Sequence, residues 1–282
     1  MSYQPSQLRL QREAARRRAS RRSTLIALTS TLSIALLAII TITGAQGFTK
    51  VRESFFSPHY ALHALPTVVS GLWLNLRVMF FAEIFVLLFG LLIALSRTSK
   101  SPLLYPLRLI AGAYTDIFRG LPLLLVLLLV GFGIPGLQIS WIPNSAVILG
   151  TFSLILTYTA YVAEVIRAGI EAVSPTQRMA ARSLGLTQWQ AQRHVVLPQA
   201  FRKVTPPLLN DLVSLQKDSG LISVLGAIDA IRSAGIETAQ SFNFTPYIVA
   251  GLFFVALTIP LTRFTDWLTR KQDQARQQGG QW

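Results

Sequence analysis

The chain is poor in charged residues and contains no cysteine. Only 13% of its 282 residues are Asp, Glu, Lys or Arg, whereas soluble domains usually contain roughly 25%. That shortage leaves too few charges for the water-facing shell of a soluble protein, so a large soluble core is not favoured. Without cysteine the chain can form neither a disulfide framework nor a thiolate metal site.

Signatures of covalent chemistry are also missing. No Gly-x4-Gly-Lys-Ser/Thr phosphate loop occurs, which excludes a single-chain transporting ATPase, so energy from ATP would have to come from a partner. His59 and His63 would share a helix face, but no third ligand of suitable type accompanies them. We therefore predict no catalytic residue and no metal site, and an intramembrane enzyme is not favoured.

Long apolar runs dominate the sequence instead, and apolar residues make up 51% of it. Runs this long are typical of transmembrane helices. A further, weaker span carries charged residues that would be costly against lipid, so we expect it to line a polar path or the protein interior. The six predicted spans are 25–44, 67–95, 110–133, 145–165, 207–231 (the weaker one) and 246–267.

The basic residues predict the orientation of these spans. The net charge of +14 gathers in segments that flank apolar runs, without the aromatic interleaving of a nucleic-acid surface, so no nucleic-acid partner is predicted. The positive-inside rule places 96–108, 167–203 and both termini in the cytoplasm. The basic residues of the predicted external segments are only Lys50, Arg52 and Arg232; these segments are 45–66, 134–144 and 229–245.

The amino-terminal segment is predicted to anchor the chain in the membrane. A cleaved signal peptide is the alternative, but its apolar region usually has roughly 7 to 15 residues, and Ala45-Gln46-Gly47 is a weak cleavage site. The predicted organisation is a basic cytoplasmic tail at 1–24, an anchor at 25–44, an external loop at 45–66, a helical core at 67–270 and a cytoplasmic tail at 271–282.

The segment 174–198, within the long cytoplasmic loop, begins with the signals of a short helix. Ser174 can cap a helix that has Pro175 at its first position. Gly185 can end that helix in the left-handed conformation that glycine adopts most readily. These signals predict the first arm of a helical hairpin.

A second short helix is predicted to follow at once. Thr187 and Gln190 have the spacing of a capping box, and Leu197-Pro198 should stop the helix. A water-exposed loop has no need of the apolar and small side chains here, so they either dock a partner or pack on the chain's own helix ends. These side chains are Met179, Ala180, Ala181, Leu184, Trp189, Val195 and Val196.

This hairpin resembles the EAA loop of ABC-importer permeases, whose pattern is Glu-Ala-Ala-x3-Gly-x9-Ile-x-Leu-Pro. Met179 stands where the family has glutamate, while the glycine, the spacing and Leu-Pro match. In that family the loop sits in a groove of the ATPase subunit and carries the motion of ATP binding to the membrane helices. The resemblance implies these ATPase-coupling residues: Met179, Ala180, Ala181, Leu184, Gly185, Trp189, Leu197 and Pro198.

Further stretches look like the permeases of polar amino acid uptake systems. They are Gly71-Leu72-Trp73-Leu74-Asn75-Leu76, Tyr114-x3-Phe118-Arg119-Gly120-Leu121-Pro122, Tyr161-x2-Glu164-x2-Arg167-x-Gly169-Ile170 and Leu215-Gln216-Lys217-Asp218-Ser219-Gly220-Leu221. Relatives have a small residue for Leu121 and more often Thr-Ser for Ser219-Gly220. The resemblance covers about 65–270. It implies an all-α polytopic membrane protein with a five-helix type I ABC-importer permease core, preceded by one extra transmembrane helix.

The resemblance also implies a function and a set of partners. The chain would be a permease subunit of an ATP-driven importer of a polar amino acid, such as glutamate, glutamine, histidine or arginine, in the inner membrane of a bacterium. Its partners would be a dimer of ATPase subunits that bind ATP and Mg, a second permease subunit, an external amino-acid-binding protein and the lipid bilayer. The chain itself would hold no cofactor. The particular amino acid, and whether the two permeases are identical, stay open.

The candidate substrate pathway consists of polar groups in the predicted spans. Asp211 and Asp218 are seven residues apart and share a helix face, with Ser214 between them. A carboxylate there could bind a substrate ammonium, and Lys217 or a backbone amide near Ser219 could bind the substrate carboxylate. Mutual neutralisation between packed helices is the alternative.

Two further charged residues are candidates for the same pathway. Glu164 can pair with Arg167 three residues later, either to orient the entry into the hairpin or to gate the path. Arg119 precedes a glycine and a proline that should break the helix, and it either snorkels to the interface or contacts substrate. Glu83 is predicted to be a partner of such groups or an interfacial residue.

An ion-coupled secondary transporter is the alternative function, because intramembrane Asp and Lys residues would suit ion coupling. Such transporters commonly contain internal repeats, and the latter half of this chain shows no second copy of the 25–133 pattern. Secondary transport also gives no reason for a two-helix cytoplasmic hairpin. The sequence therefore favours the ABC permease.

Overall fold

The computed structural model describes residues 7–99 and 101–279, in which helices and turns occur and no strand is found. The chain divides into two compact units, one ending at Phe56 and one beginning at Ser57. The α-helices are α1 Gln7–Thr43, α2 Phe48–Phe55, α3 Pro58–Thr98, α4 Tyr105–Gly120, α5 Leu123–Gly136, α6 Ala146–Glu171, α7 Pro175–Ser183, α8 Gln188–Ala191, α9 Leu197–Asp218, α10 Ala230–Ser241 and α11 Thr245–Gly279.

The first unit consists of α1 and α2. Every residue from Arg22 to Gly47 is exposed. The hydroxyls of Thr31 and Thr41 donate hydrogen bonds to carbonyl groups one turn earlier, so these polar side chains are satisfied within their own helix. An apolar helix with satisfied polar groups is suited to lipid.

Among the described residues, four helical segments are long and apolar enough to cross a membrane, and there are up to six spans if each of two bent helix pairs counts as one. The four segments lie within Arg22–Thr43, Phe48–Thr98, Ala146–Glu171 and Thr245–Gln272. The bent pairs correspond to the predicted third and fifth spans. The all-α polytopic architecture is thus confirmed, while the count of spans is four to six.

Helix α3 starts earlier than predicted. Ser57 has an extended backbone and Pro58 occupies the first helical turn, where a proline costs no hydrogen bond. At 41 residues the helix is about 60 Å long, whereas the hydrocarbon layer is about 30 Å thick. The segment 45–66, predicted to be an external loop, is therefore largely helical, and the second unit begins at Ser57 instead of residue 67.

The predicted third span is broken in the middle. Helix α4 ends at Gly120, Leu121 is extended and Pro122 precedes α5, and the two helices are bent by 108°. The break at Gly120-Leu121-Pro122 confirms the effect expected of this glycine and proline. The span predicted for 110–133 therefore consists of parts of two helices, of which α5 has only 14 residues, about 21 Å.

The predicted fifth span and the loop after it also differ from the structure. Helix α9 starts at Leu197 and contains Pro207, where the span was predicted to begin. A 3-10 helix, Ser219–Leu225, then leads to Asp229, whose Oδ1 accepts a hydrogen bond from the Arg232 amide at the start of α10. The predicted external loop at 229–245 is therefore mostly a capped helix.

Helices α3 and α6 form the centre of the second unit. The main apolar cluster joins α3, α5, α6 and α9 through side chains such as Val86, Leu127, Leu154 and Leu215. A second cluster joins α3, α10 and α11, and a third packs the end of α6 against the start of α9. This packing fixes the positions of the polar residues described below.

Candidate coupling hairpin and polar pathway

Helix α7 forms the first arm of the hairpin with the predicted caps. Ser174 Oγ accepts a hydrogen bond from the Thr176 amide at 3.3 Å. At the other end Gly185 has a φ of +84°. The Gly185 amide donates to the Arg182 carbonyl and the Leu186 amide donates to the Ala181 carbonyl, which is a Schellman termination.

Helix α8 begins with the predicted capping box. The Thr187 amide donates to Gln190 Oε1 at 2.8 Å, and the Gln190 amide donates to Thr187 Oγ1 at 3.2 Å. The predicted stop at Leu197-Pro198 is wrong, because a π turn, Gln192–Val196, leads directly into α9. Pro198 lies in the first turn of α9, directly after this π turn.

The side chains of the hairpin fall into two groups. Three residues face inward, with Ala181 and Ala191 each 4% exposed and Val196 1% exposed, whereas Ala180 is exposed and Val195 is half-buried. Large apolar residues face outward, with Met179 60%, Leu184 84% and Trp189 69% exposed. One set of these apolar residues therefore packs on the chain itself, and the other faces outward.

Two cations attach the hairpin to the end of α6. Arg178 Nη2 donates to the Ile170 carbonyl at 2.6 Å, and Lys203 Nζ donates to the Ala172 carbonyl. The last carbonyls of a helix have no partner within it and carry partial negative charge. These bonds connect α7 of the hairpin, and α9 directly after it, to the same helix end.

Glu164 is the centre of a cluster of arginines. The predicted pairing with Arg167 is present, and Arg167 also pairs with Glu171. Arg97, which sequence reasoning missed, donates to Glu164 Oε2 at 2.8 Å from α3. Arg119 lies farther away, with its Nη1 at 3.9 Å and its side chain 40% exposed. The cluster ties α3, α4 and α6 together near the base of the hairpin.

The two carboxylates of α9 face the centre of the unit. Asp218 Oδ2 accepts a hydrogen bond at 2.7 Å from the Tyr158 hydroxyl, which belongs to α6. Asp211 Oδ2 is buried and finds no hydrogen-bond partner among the described residues. Asp211 also interacts electrostatically with Tyr158 and with Glu83 of α3. The structure therefore brings both aspartates and Glu83 to one side of α9.

The other candidates on α9 are placed less centrally. Lys217 is exposed and Ser214 is half-buried. Ser219 is 1% exposed, and its hydroxyl donates to the Gln216 carbonyl. Its own carbonyl accepts a hydrogen bond from Asn75. Lys217 therefore does not share the surroundings of Asp211 and Asp218, and Ser219 belongs to a different contact.

That contact is a polar joint, which sequence reasoning missed. We define it by Gly71, Asn75, Asp229 and Ala230, and the Ser219 carbonyl is bonded to it through Asn75. Asn75 Nδ2 donates to Asp229 Oδ2 and to the Ser219 carbonyl, both at 3.0 Å, and Asn75 Oδ1 accepts from the Ala230 amide at 3.1 Å. Asp229 is fully buried. An Asn four residues after a Gly in an apolar run was the sequence signal for such a close crossing.

The histidines lie on the same helix but have different partners. His63 Nδ1 lies 3.1 Å from Glu237 Oε2, and Thr67 Oγ1 donates to the other oxygen of that carboxylate. His59 packs edge-on against the Tyr60 ring. Glu237 thus links α10 to α3, which is a structural role for His63.

Comparisons with known proteins agree with this architecture. Residues 87–274 match the family described as binding-protein-dependent transport system inner membrane component. The arginine transport system permease protein ArtQ of Bacillus subtilis is 36% identical over 202 residues, 70% of this chain and 89% of that protein. A putative glutamine transport system permease protein GlnP of Rickettsia conorii is 38% identical over 68% of this chain and 86% of that protein.

Solved structures give the same result. A crystal structure of an amino acid ABC transporter with histidines contains a chain 37% identical to this one, with a TM-score of 0.67, covering 73% of this chain and 94% of that chain. The MetNI methionine ABC transporter, at 19% identity and a TM-score of 0.60, shares the fold. The chain belongs to the binding-protein-dependent transport system inner membrane components, together with the amino acid permeases of ABC importers.

Proposed function

We propose that this chain is a permease subunit of an importer that carries a polar amino acid across the cytoplasmic membrane, driven by ATP hydrolysis in partner subunits. Two permeases form the pore, a dimer of ATPase subunits binds ATP and Mg below it, and an external binding protein delivers the substrate. The termini and the 174–198 hairpin face the cytoplasm, as the distribution of basic residues requires.

The exposed tip of the hairpin carries this proposal. Met179, Leu184 and Trp189 are all more than half exposed on a hairpin that is capped at both starts and terminated by Gly185. An ordered hairpin that holds large apolar side chains away from the core has the features of a docking surface. The coupling residues are Met179, Ala180, Ala181, Leu184, Gly185, Trp189, Leu197 and Pro198.

A cross-linking experiment tests the docking. Because the chain has no cysteine, Leu184→Cys gives this subunit a single site for a thiol-reactive photo-cross-linker, which is attached before the complete transporter is assembled. We expect adducts with the ATPase subunit from this site. The control is Leu137→Cys, which is also exposed but lies in the loop after α5, and which should give none. An intact complex with no ATPase adduct at Leu184 would refute the docking.

The turn at Gly185 provides a second test of coupling. Valine is strained at a φ of +84°, where a residue with a Cβ costs roughly 1–2 kcal/mol of conformational energy. Gly185→Val should therefore tilt the two arms of the hairpin and lower ATP-dependent uptake several-fold. Membrane insertion should not change. Gly185→Asn is the matched control, because Asn tolerates this conformation. Normal uptake by the valine variant would show that the hairpin does not take part in coupling.

The substrate pathway is proposed to run beside the carboxylates of α9. Asp211 has a buried oxygen with no partner among the described residues, and Asp218 and Glu83 lie on the same side. A substrate ammonium would neutralise this concentration of negative charge. The remaining candidates are Ser214, Lys217, Ser219, Glu164 and Arg119.

Replacing Asp211 tests this pathway. Asp211→Asn removes the charge at nearly constant volume, so we expect the KM of uptake to rise about tenfold, which corresponds to about 1.4 kcal/mol of lost binding. Asp266→Asn, an exposed position on α11, is the control. Equal KM values for both variants would assign Asp211 to packing. Uptake that follows an ion gradient and ignores ATP would favour the ion-coupled alternative.

A further inference from the structure

A basic cavity lies between the hairpin and the turn that joins α3 to α4. Its volume is about 1100 Å³, and its lining includes Arg97, Arg108, Arg178 and Arg182. Among the described lining residues Glu171 is acidic, and its carboxylate is already paired with Arg167. The cavity therefore has a marked excess of positive charge.

Three of the arginines have no acidic partner among the described side chains. Arg97 is paired with Glu164. Among the residues whose side chains the structure describes (22–99, 101–272 and 274), no carboxylate lies within ion-pair distance of Arg108, Arg178 or Arg182. Unpaired guanidinium groups that converge on one cavity repel one another, so an anion there would stabilise the arrangement.

Two of these guanidinium groups are held in position by backbone carbonyls. Arg108 Nη1 donates to the Ser99 carbonyl at 2.7 Å, and Arg178 Nη2 donates to the Ile170 carbonyl at 2.6 Å. A guanidinium has five donors, so each keeps others for a ligand. Arg178 Nε is buried and finds no partner among the described residues. Fixed forks of donors suit phosphate oxygens.

Exposed apolar side chains lie along the first turns of α4, next in sequence to Arg108 of the cavity lining. Leu107, Leu109 and Ile110 are 50%, 65% and 66% exposed. Arg108 lies in the same turn, between Leu107 and Leu109, and its guanidinium carbon is 5.4 Å from the centre of the Tyr105 ring. Apolar side chains beside a basic cavity match a ligand with an anionic head and hydrocarbon tails, whereas a free phosphate ion would use only the basic part.

We infer that this cavity binds the phosphate-bearing headgroup of an anionic phospholipid from the cytoplasmic leaflet, with the acyl chains lying along α4. The side of the membrane rests on the proposed function; the binding chemistry does not. Because Arg108 belongs to α4 and Arg178 and Arg182 belong to α7, the bound phosphate would join a membrane helix to the coupling hairpin. Anionic lipid would then support coupling.

Lipid retention tests the inference on the complete transporter. The complex is equilibrated in detergent micelles that contain phosphatidylglycerol or phosphatidylcholine, and retained lipid is counted by native mass spectrometry. We expect phosphatidylglycerol to be retained, and Arg178→Gln combined with Arg182→Gln to reduce retention several-fold. Arg108→Gln, on the opposite wall and outside the hairpin, should reduce it as well. Arg193→Gln is the control, because it removes the same charge from an exposed hairpin position outside the cavity lining.

Each alternative has a distinct result. Equal retention of both lipids, or equal losses in the control and the cavity variants, would overturn the site. Binding of millimolar inorganic phosphate by a complex that retains no phosphatidylglycerol would show that the cavity takes a free phosphate, which also contradicts the inference. Loss of ATPase subunits from the cavity variants with unchanged lipid would assign the arginines to the ATPase contact. Lipid retention is measured without substrate or nucleotide. The lipid result therefore stays interpretable even if the proposed transport function is wrong.

Discussion

The polar joint at Asn75 and the hairpin at 174–198 distribute polar and apolar groups in opposite ways. In the joint, polar groups are buried and bonded to one another, and Asn75 and Asp229 are 2% and 0% exposed. In the hairpin, large apolar groups are exposed, and side-chain caps at Ser174 and Thr187 begin the two short helices.

This difference separates folding from function. A buried polar group contributes to stability when its partner belongs to the same chain, because loss of one partner leaves the other unsatisfied. Exposed apolar groups such as Leu184 gain nothing until a second surface covers them. Changes in the joint should therefore unfold the protein, and changes in the hairpin should impair transport by a folded protein.

The largest expected effect is at Gly71. A Cβ at this position would lie 2.4 Å from the backbone carbon of Asp229, so Gly71→Val must push α3 away from α10. Overpacking of this kind costs about 3 kcal/mol, and backbone cannot rotate aside as a side chain can. We expect a clear fall in the thermal unfolding temperature of the purified protein.

Gly133→Val is the control for this variant, because a Cβ at Gly133 in α5 would meet nothing within 4 Å. It adds the same side chain to a helix of the same unit and should leave the unfolding temperature nearly unchanged. If the two variants unfold at the same temperature, α3 and α10 do not approach as closely as the structure has them.

A smaller loss is expected from Asn75→Ala. The change leaves the Ala230 amide and one Asp229 oxygen without the partner they have in the wild type, and each buried unsatisfied group costs about 1–3 kcal/mol. Asn210→Ala, at an exposed position on α9, removes the same side chain without this loss. Thermal unfolding of both variants measures the difference, and equal stabilities would mean that water replaces Asn75.

The sequence was sufficient for the hairpin caps because their chemistry is local. Ser174, Gly185 and the Thr187–Gln190 pair each act within a few residues, and all three have the predicted geometry. The break at Gly120-Leu121-Pro122 was predictable for the same reason. The alternation of apolar runs and basic segments likewise predicted the membrane class.

Contacts between distant residues were not predictable in this way. Asn75 and Asp229 are 154 residues apart, and Arg97 and Glu164 are 67 apart. Pro198 was wrongly taken as a stop because the local rule ignores tertiary packing. Here Val196 and Ala200 pack against Ile170, which holds the chain helical through the π turn.

The smallest effect on stability is expected at the hairpin. Thr187→Ala removes the hydroxyl that accepts a hydrogen bond from the Gln190 amide, which costs about 1 kcal/mol of local helix stability. Helix α8 has only four residues, so this loss is large for it. Amide hydrogen exchange should quicken across α8, and ATPase stimulation by the loaded binding protein should fall, while the global unfolding temperature stays the same. Thr176→Ala, an exposed change on the neighbouring α7, should leave all three unchanged. If Thr187→Ala instead lowers the unfolding temperature as far as Asn75→Ala does, the hairpin contributes to global stability as the polar joint does. That result would contradict the distinction between the two regions.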